Sequence, residues 1–347
     1  MREAAQALTL ALRADPAART PGRGALRDEG APATERLYER LSSDVLARVD
    51  AHLERDSAVI EVPDSPGIAP KVVPARDLWT AAQGVERQRL TLIFGVAFDI
   101  PGVLEATGLS RAQPPEDVHQ MGRGPLAAGG SFYHADLVAA AFRGAGAAPA
   151  AGQRFLDFGC SSGRVVRVLA AAYPAATWEG CDPIRESVAW AAANLAPVRF
   201  WSSPQSPPLD VPPVSFDGVF AISVWSHYSE RAAREWLTEM HRVLRPGGHL
   251  VLTTHGYDSL AYLARRRLRS RAALMSVRED LYLNGFAFLD TFGEAGDWGI
   301  VSPDWGDAFI SAEWLLAKAP QFDVVDFAGG RNEGNQDVWV LRRETGQ

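Results

Sequence analysis

Lysine is nearly missing from this chain. Only Lys71 and Lys318 occur among 347 residues, and every other basic residue except histidine is arginine. Beside so many alanines, that bias reflects a GC-rich genome rather than a function. Cysteine is as sparse, at Cys160 and Cys181 alone, which excludes a disulfide framework and a cysteine-built zinc site; no metal is expected. No apolar run reaches the roughly 18 residues that a membrane span needs. The N-terminal segment has no continuous apolar signal core, and its acidic residues Glu3, Asp15, Asp28 and Glu29 argue against a transit peptide. A cytoplasmic location is expected. The net charge of −7 speaks against nucleic acid as the main partner.

The chain is long enough for a large core and more than one region. Residues 1–34, rich in Ala, Arg, Pro and Gly, read as a flexible tail. Residues 35–130 read as a mostly helical N-terminal extension. Leu37, Leu41, Val45, Leu46, Val49 and Leu53 fall at helical spacing within 35–55, and 77–96 reads as a second helix. Such an extension covers an acceptor site or forms a homodimer surface. Residues 131–143 predict a helix, with Ser131 or Gly130 as its cap. Residues 258–307 form an aromatic-rich insertion with Tyr262, Tyr282, Phe286, Phe288, Phe292, Trp298 and Trp305. Aromatic faces of this kind line a pocket, bind a sugar ring or build local core.

The richest segment is Arg154-Phe-Leu-Asp-Phe-Gly-Cys-Ser-Ser-Gly163. An apolar strand ends in Asp157, turns through Gly159 and Gly163, and leads into a helix-like run over 164–172. Strand, glycine turn and helix frame a nucleotide-binding βα unit. The carboxylate sits inside the turn, where it repels phosphate and suits a cationic ammonium group. A second strand, 177–182, ends in Asp182, placed to accept ribose hydroxyls. Further strands follow at 198–202, 216–224 and 249–254. A helix over 230–244 stops at Arg245-Pro-Gly-Gly248, and the closing hairpin uses 322–327 and 336–342.

This order, with the segments FDGVFAIS and RVLRPGGHLVLTT, resembles the class I S-adenosylmethionine-dependent methyltransferases. Their first motif has the form (D/E)-x-G-x-G-x-G, and Ser161 replaces its middle glycine. The likeness covers 131–257 well and 308–343 more loosely. It implies an α/β fold: a Rossmann-like seven-stranded sheet over 131–347, interrupted after the fifth strand by the 258–307 insertion as an acceptor cap. It implies S-adenosyl-L-methionine as cofactor and S-adenosyl-L-homocysteine as product. Asp157, Gly159, Cys160, Ser161 and Gly163 would hold the methionine end. Asp182 would bind the ribose, with Pro183 and Ile184 against the adenine. Trp201 and Ser202 take the place of an acidic adenine contact, Ser223 would contact the methionine part through its backbone, and Tyr133 would close over the cofactor.

Methyl transfer needs an aligned acceptor and a base for its proton, but no metal. His227 and His255 follow the fourth and fifth strands, beyond whose carboxyl ends a ligand lies in such sheets. Either would serve as general base, with Tyr228 and Trp225 shaping the same pocket. Arg265, Arg266, Arg267, Arg269 and Arg271 would bind an anionic acceptor or form a solvated helix face. The segments TTHG and GNQDVWVLRR resemble bacterial enzymes of polysaccharide and secondary-metabolite biosynthesis. The expected reaction is therefore methylation of a small molecule or glycan, at oxygen. Alternatives are N-methylation, a protein or RNA substrate, or a non-catalytic cofactor-binding subunit. The Asn/Asp-Pro-Pro-Tyr/Phe pattern of many base-methylating enzymes is replaced by Ser223-Val-Trp-Ser226.

Overall fold

The computed structural model describes residues 31–55, 59–62, 71–118, 124–297 and 299–345. The expected tail up to residue 30, and Trp298 in the insertion, lie outside them.

The N-terminal part carries helices α1 (Ala33–Tyr38) and α2 (Ser43–Leu53), a hairpin of β1 (Val59–Val62) and β2 (Lys71–Pro74), then α3 (Ala75–Ala81), α4 (Gly84–Ala97) and α5 (Val103–Thr107). Two helices expected as continuous are broken. Ser42 accepts a hydrogen bond from the Val45 amide at 3.3 Å and so starts α2 afresh. Ala82 and Gln83 are extended between α3 and α4, and Trp79 Nε1 bonds Thr91 Oγ1 across that corner. The expected tail boundary at residue 34 is corrected too. Ala33 and Thr34 are fully buried at the start of α1, because Thr34 donates from its amide and its hydroxyl to Asp136 at 2.8 and 2.6 Å.

Helix α6 (Phe132–Gly144) leads into the sheet: β3 (Arg154–Phe158), α7 (Val166–Ala172), β4 (Thr177–Asp182), α8 (Arg185–Asn194), β5 (Arg199–Ser202), β6 (Phe216–Ala221), α9 (Glu230–Val243) and β7 (Leu244–His255). Ser131 does not cap α6; its hydroxyl pairs with His134 Nδ1 at 2.8 Å instead. The expected stop at Arg245–Gly248 lies inside β7, because Leu244 already pairs with Phe216 and a register shift absorbs the Pro-Gly-Gly turn. The insertion folds as α10 (Tyr257–Arg266), α11 (Arg271–Asn284), β8 (Phe286–Leu289) and β9 (Asp307–Ile310). Helix α12 (Ala312–Lys318) and the hairpin β10 (Phe322–Asn332) and β11 (Gln336–Arg343) close the fold.

Seven strands run in the order β10-β11-β7-β6-β3-β4-β5, all in one direction except β11, which is antiparallel to both of its neighbours. The insertion adds two more: β9 bridges the end of β7 at His255, and β8 pairs with β9. Side chains alternate between the two faces of each strand. Phe155, Phe220, Val251, Val338 and Val340 point into the core under α6, α7 and the N-terminal helices. Leu156, Val219, Leu250, Leu252, Trp339 and Leu341 point into the core under α9 and α12. A parallel sheet needs both faces covered in this way. The N-terminal helices share the first of these cores and so continue the sheet's own packing. The chain leaves β5 on one side of β3 and returns as β6 on the other. This reversal is where an open α/β sheet binds its ligand.

Candidate active site

At that reversal a cleft of about 1040 Å³, its open mouth included, lies across the carboxyl ends of β3, β4 and β6. Its floor is the turn after β3. Gly159 has φ +79°, and a Cβ there would come within 2.5 Å of Val224 Cγ2. Only glycine satisfies both the backbone and the close approach. Gly163 turns the chain into α7 at φ +76°, against Phe200, and does not itself line the cleft. Ser161 holds φ +49°. A side chain in this left-handed region costs about 1–2 kcal/mol, and the Ser161 amide is fixed by donating to Asp182 at 2.8 Å.

Two carboxylates face this floor. Asp157 is buried, and its pKa is pushed up to about 8, chiefly by loss of solvent; the Arg164 guanidinium opposes that rise and Asp182 adds to it. Asp182 is raised to about 6 by burial, while the amides of Ile184 and Ser161 pull it back. Those amides donate one to each Asp182 oxygen, at 2.9 Å from Ile184 and 2.8 Å from Ser161. Each oxygen keeps a lone pair for a further donor.

Of the residues expected to hold a cofactor, Asp157, Gly159, Cys160, Ser161, Asp182, Pro183, Ile184 and Ser223 line the cleft. Trp201 and Ser202 do not. Trp201 donates from Nε1 to Glu179 and packs in the core; Ser203, Pro204 and Gln205, just past the end of β5, line the cleft in their place. Tyr133 is also away from it, its hydroxyl donating to the Arg331 carbonyl and accepting from the Glu333 amide. Arg164, unremarked in the sequence reading, does line it.

The two histidines part company. His227 lines the cleft. Its Nδ1 lies 2.8 Å from the Gly306 carbonyl oxygen, which can only accept, so Nδ1 carries the proton. Nε2 has no hydrogen-bond partner among the described residues. His255 is not part of the lining. Its ring centroid lies 6.4 Å from that of His227, and Gln336 Nε2 stands 3.4 Å from its Nε2. Burial, ahead of the His227 charge, lowers its pKa to about 4. Gln336 also donates to Ser223 Oγ at 2.6 Å, so this layer braces the end of β6 from behind. Trp225 is core, fully buried, with Nε1 on the Ala233 carbonyl.

The far wall comes from the insertion: Asp297, Ile300 and Trp305 line the cleft, and no described residue of 35–130 does. Both the extension and the insertion were expected as covers of an acceptor site; among the described residues only the insertion reaches the cleft. Segment 304–308 runs along 226–229. Gly306 donates to the His227 carbonyl at 2.8 Å and Ala308 to that of Ser226 at 2.7 Å. Trp305 stacks near the His227 ring, centroids 4.9 Å apart, with Nε1 donating to Asp297. None of the five clustered arginines reaches the cleft. Arg265, Arg266, Arg267 and Arg271 are exposed, and Arg269 pairs with Asp307. Replacing Arg266 and Arg267 by alanine is therefore expected to leave the acceptor KM within about twofold of wild type, as surface changes do. Steady-state kinetics check this.

Residues 155–248 match the family described as "Methyltransferase domain". The match spans the strands and turn that build the cleft floor and covers about a quarter of the chain. A floor of glycine turn plus two buried carboxylates fits a ligand that carries two cationic groups and a ribose, as the expected S-adenosylmethionine does. Solved structures similar to the chain include an S-adenosylmethionine-dependent methyltransferase from Methanosarcina mazei, 18% identical over 56% of this chain and 93% of that one, with TM-score 0.41. Another is the 1,6-didemethyltoxoflavin-N1-methyltransferase of Burkholderia thailandensis, with substrate and S-adenosylhomocysteine bound; it is 17% identical over 61% and 77%, TM-score 0.40. A third is the N-methyltransferase NodS of Bradyrhizobium japonicum with S-adenosylhomocysteine, 15% identical over 57% and 80%, TM-score 0.35. No curated protein matches the chain. No described helix is long and apolar enough to cross a membrane.

Proposed function

We propose that this methyltransferase methylates a hydroxyl of a small-molecule or glycan acceptor, with His227 as general base. The observation that carries the reading is the bare Nε2 of His227 in the same cleft as Asp157 and Asp182. Bound S-adenosylmethionine supplies an electrophilic methyl on a sulfonium. Asp157 takes the α-amino end, and Asp182 accepts ribose hydroxyls on its remaining lone pairs. Ile184 and Pro183 lie against the adenine. Val224, Ile300 and Tyr228 keep water from the transfer path. His227 Nε2 would take the proton of the acceptor hydroxyl as that oxygen is methylated, so that the positive charge passes to the imidazole. Oxygen is favoured because a neutral imidazole is a suitable base for a hydroxyl at neutral pH.

Calorimetry is expected to show S-adenosylmethionine binding by the intact protein, weakened about tenfold or more in Asp182→Ala as paired polar groups are lost. Labelled cofactor and candidate acceptors should give products about 14 Da heavier per methyl. His227→Ala should bind the cofactor as wild type does and lose about 10²–10⁴-fold in transfer rate. No cofactor binding by the intact protein would end the reading.

A further inference from the structure

His227 is not oriented by its own loop. Its imidazole is held by the returning end of the insertion, which meets it at three points. Gly306 accepts from Nδ1 at 2.8 Å, and Trp305 covers one side of the ring. Asp307, the first residue of β9, places Oδ1 4.0 Å from Nδ1. Asp307 is in turn gripped from outside. Its Oδ2 accepts from Arg269 and from Thr291 Oγ1, the latter at 2.8 Å. Its side chain is 15% exposed. Arg269 is therefore the member of the arginine cluster that pairs with a carboxylate beside the cleft.

An imidazole with its proton on Nε2 would turn the Nδ1 lone pair toward the Gly306 oxygen, with the Asp307 carboxylate close behind. Three electron-rich groups would then crowd one point. With the proton on Nδ1, the same groups stabilise it, and Nε2 is bare. The tautomer of a histidine is set by the bond its other nitrogen makes. The His255 ring stands behind His227, on the side away from the cleft lining. We propose that Asp307, locked by Arg269 and Thr291, is a positioning residue of His227: from 4.0 Å its carboxylate adds to the bond at the Gly306 carbonyl and holds the imidazole in the Nδ1–H form, with Nε2 free for the acceptor proton. This rests on His227 acting as the base. The carboxylate would also face the positive charge that His227 gains as it takes the proton, in the manner of base–orienter pairs in other enzymes.

The test is long-range ¹⁵N–¹H spectroscopy of the full chain with labelled histidine near neutral pH, the His227 signal being assigned by its loss in His227→Gln. Wild type is expected to show Nδ1–H. Asp307→Asn offers an amide donor to Nδ1 and is expected to raise the Nε2–H fraction at least about fivefold. Arg269→Gln, an exposed change that unlocks Asp307, should move it in the same direction by less. A purely structural role would lower the melting temperature and leave the tautomer alone. An Nε2–H signal in wild type, or an unchanged tautomer in both variants, overturns the proposal. Cofactor binding by wild type is measured separately; its absence would overturn the methyl-transfer reading, whereas the tautomer decides this one.

Discussion

Asp136→Ala is expected to lower the unfolding free energy by about 3–5 kcal/mol, the cost of stranding a buried charge by deleting its partner. Asp136 sits on α6 and accepts four hydrogen bonds. Two come from Thr34, and two from Arg89, Nε at 2.9 Å and Nη2 at 2.8 Å. The Arg89 and Asp136 side chains are 8% and 5% exposed, so water cannot replace what is removed. One carboxylate thus joins α1 and α4 of the extension to the helix that precedes β3. Arg342→Ala is the control. Its pair with Asp323 spans 2.8 Å, like the buried one, but the side chains are 48% and 46% exposed, and about 0–1 kcal/mol is expected. Denaturant unfolding measures both. Limited proteolysis adds a second readout: because the extension and the sheet share one core, Asp136→Ala should expose both together. Cleavage confined to 31–118 with an intact sheet would show the extension to be a separable domain.

The order of strands was legible because a parallel sheet writes itself locally. Each buried strand is a short apolar run, and each ends where a carboxylate or a turn residue meets the ligand edge. Asp157, Gly159 and Asp182 stood out in that way, Ile184 and Ser223 came from the family resemblance, and all five line the cleft. Ser203 to Gln205 were missed by one residue, since β5 ends at Ser202 and the lining begins just after it. The far wall was a different matter. Asp297, Ile300 and Trp305 lie in a stretch with no periodicity; backbone pairing of 304–308 with 226–229 brings Trp305 to the site, and Asp297 and Ile300 bridge to each other beside it. Such pairing joins segments nearly eighty positions apart, and no local pattern records it. The same reason separates His227 from His255. Both follow a strand end, but β9 pairs beside His255 and covers it, whereas the return of the insertion leaves His227 at the cleft with one nitrogen engaged. In the extension, the helical period of Leu37 to Leu53 was real, but a Ser42 cap and the Thr34–Asp136 bonds reset its boundaries.

Cofactor affinity is expected to rise about tenfold between pH 6 and 7 and by a smaller factor between pH 7 and 8, because one unit of pH well below a raised pKa costs a factor of ten in the ionised form and the cost fades as pH nears that pKa. The sign follows from Asp157. Burial raises it to about 8 despite Arg164, so at neutral pH without ligand it is mostly protonated. The donor brings a sulfonium and an ammonium, which favour the anion. Binding must then expel the proton, and the work of doing so grows as pH falls. Asp182, raised to about 6, adds to the loss only at the lower end. From about pH 7 upward the donor's own α-amino group begins to lose its proton, so the gain flattens toward pH 8. Calorimetry near pH 7 in two buffers of different ionisation enthalpy should register release of close to one proton per site. Asp157→Asn, which keeps the shape and removes the charge, should bind more weakly at pH 8 and lose most of the pH dependence. Folding without the donor runs the opposite way. A carboxyl whose folded pKa exceeds its ordinary value stabilises the fold fully below that value, near 3.8, and this contribution is lost as pH rises through about 8. The free protein should therefore weaken toward alkaline pH while the donor's stabilising effect grows. Flat affinity between pH 6 and 8 would mean that Asp157 is already ionised in the empty cleft, and that Arg164 rather than burial governs it.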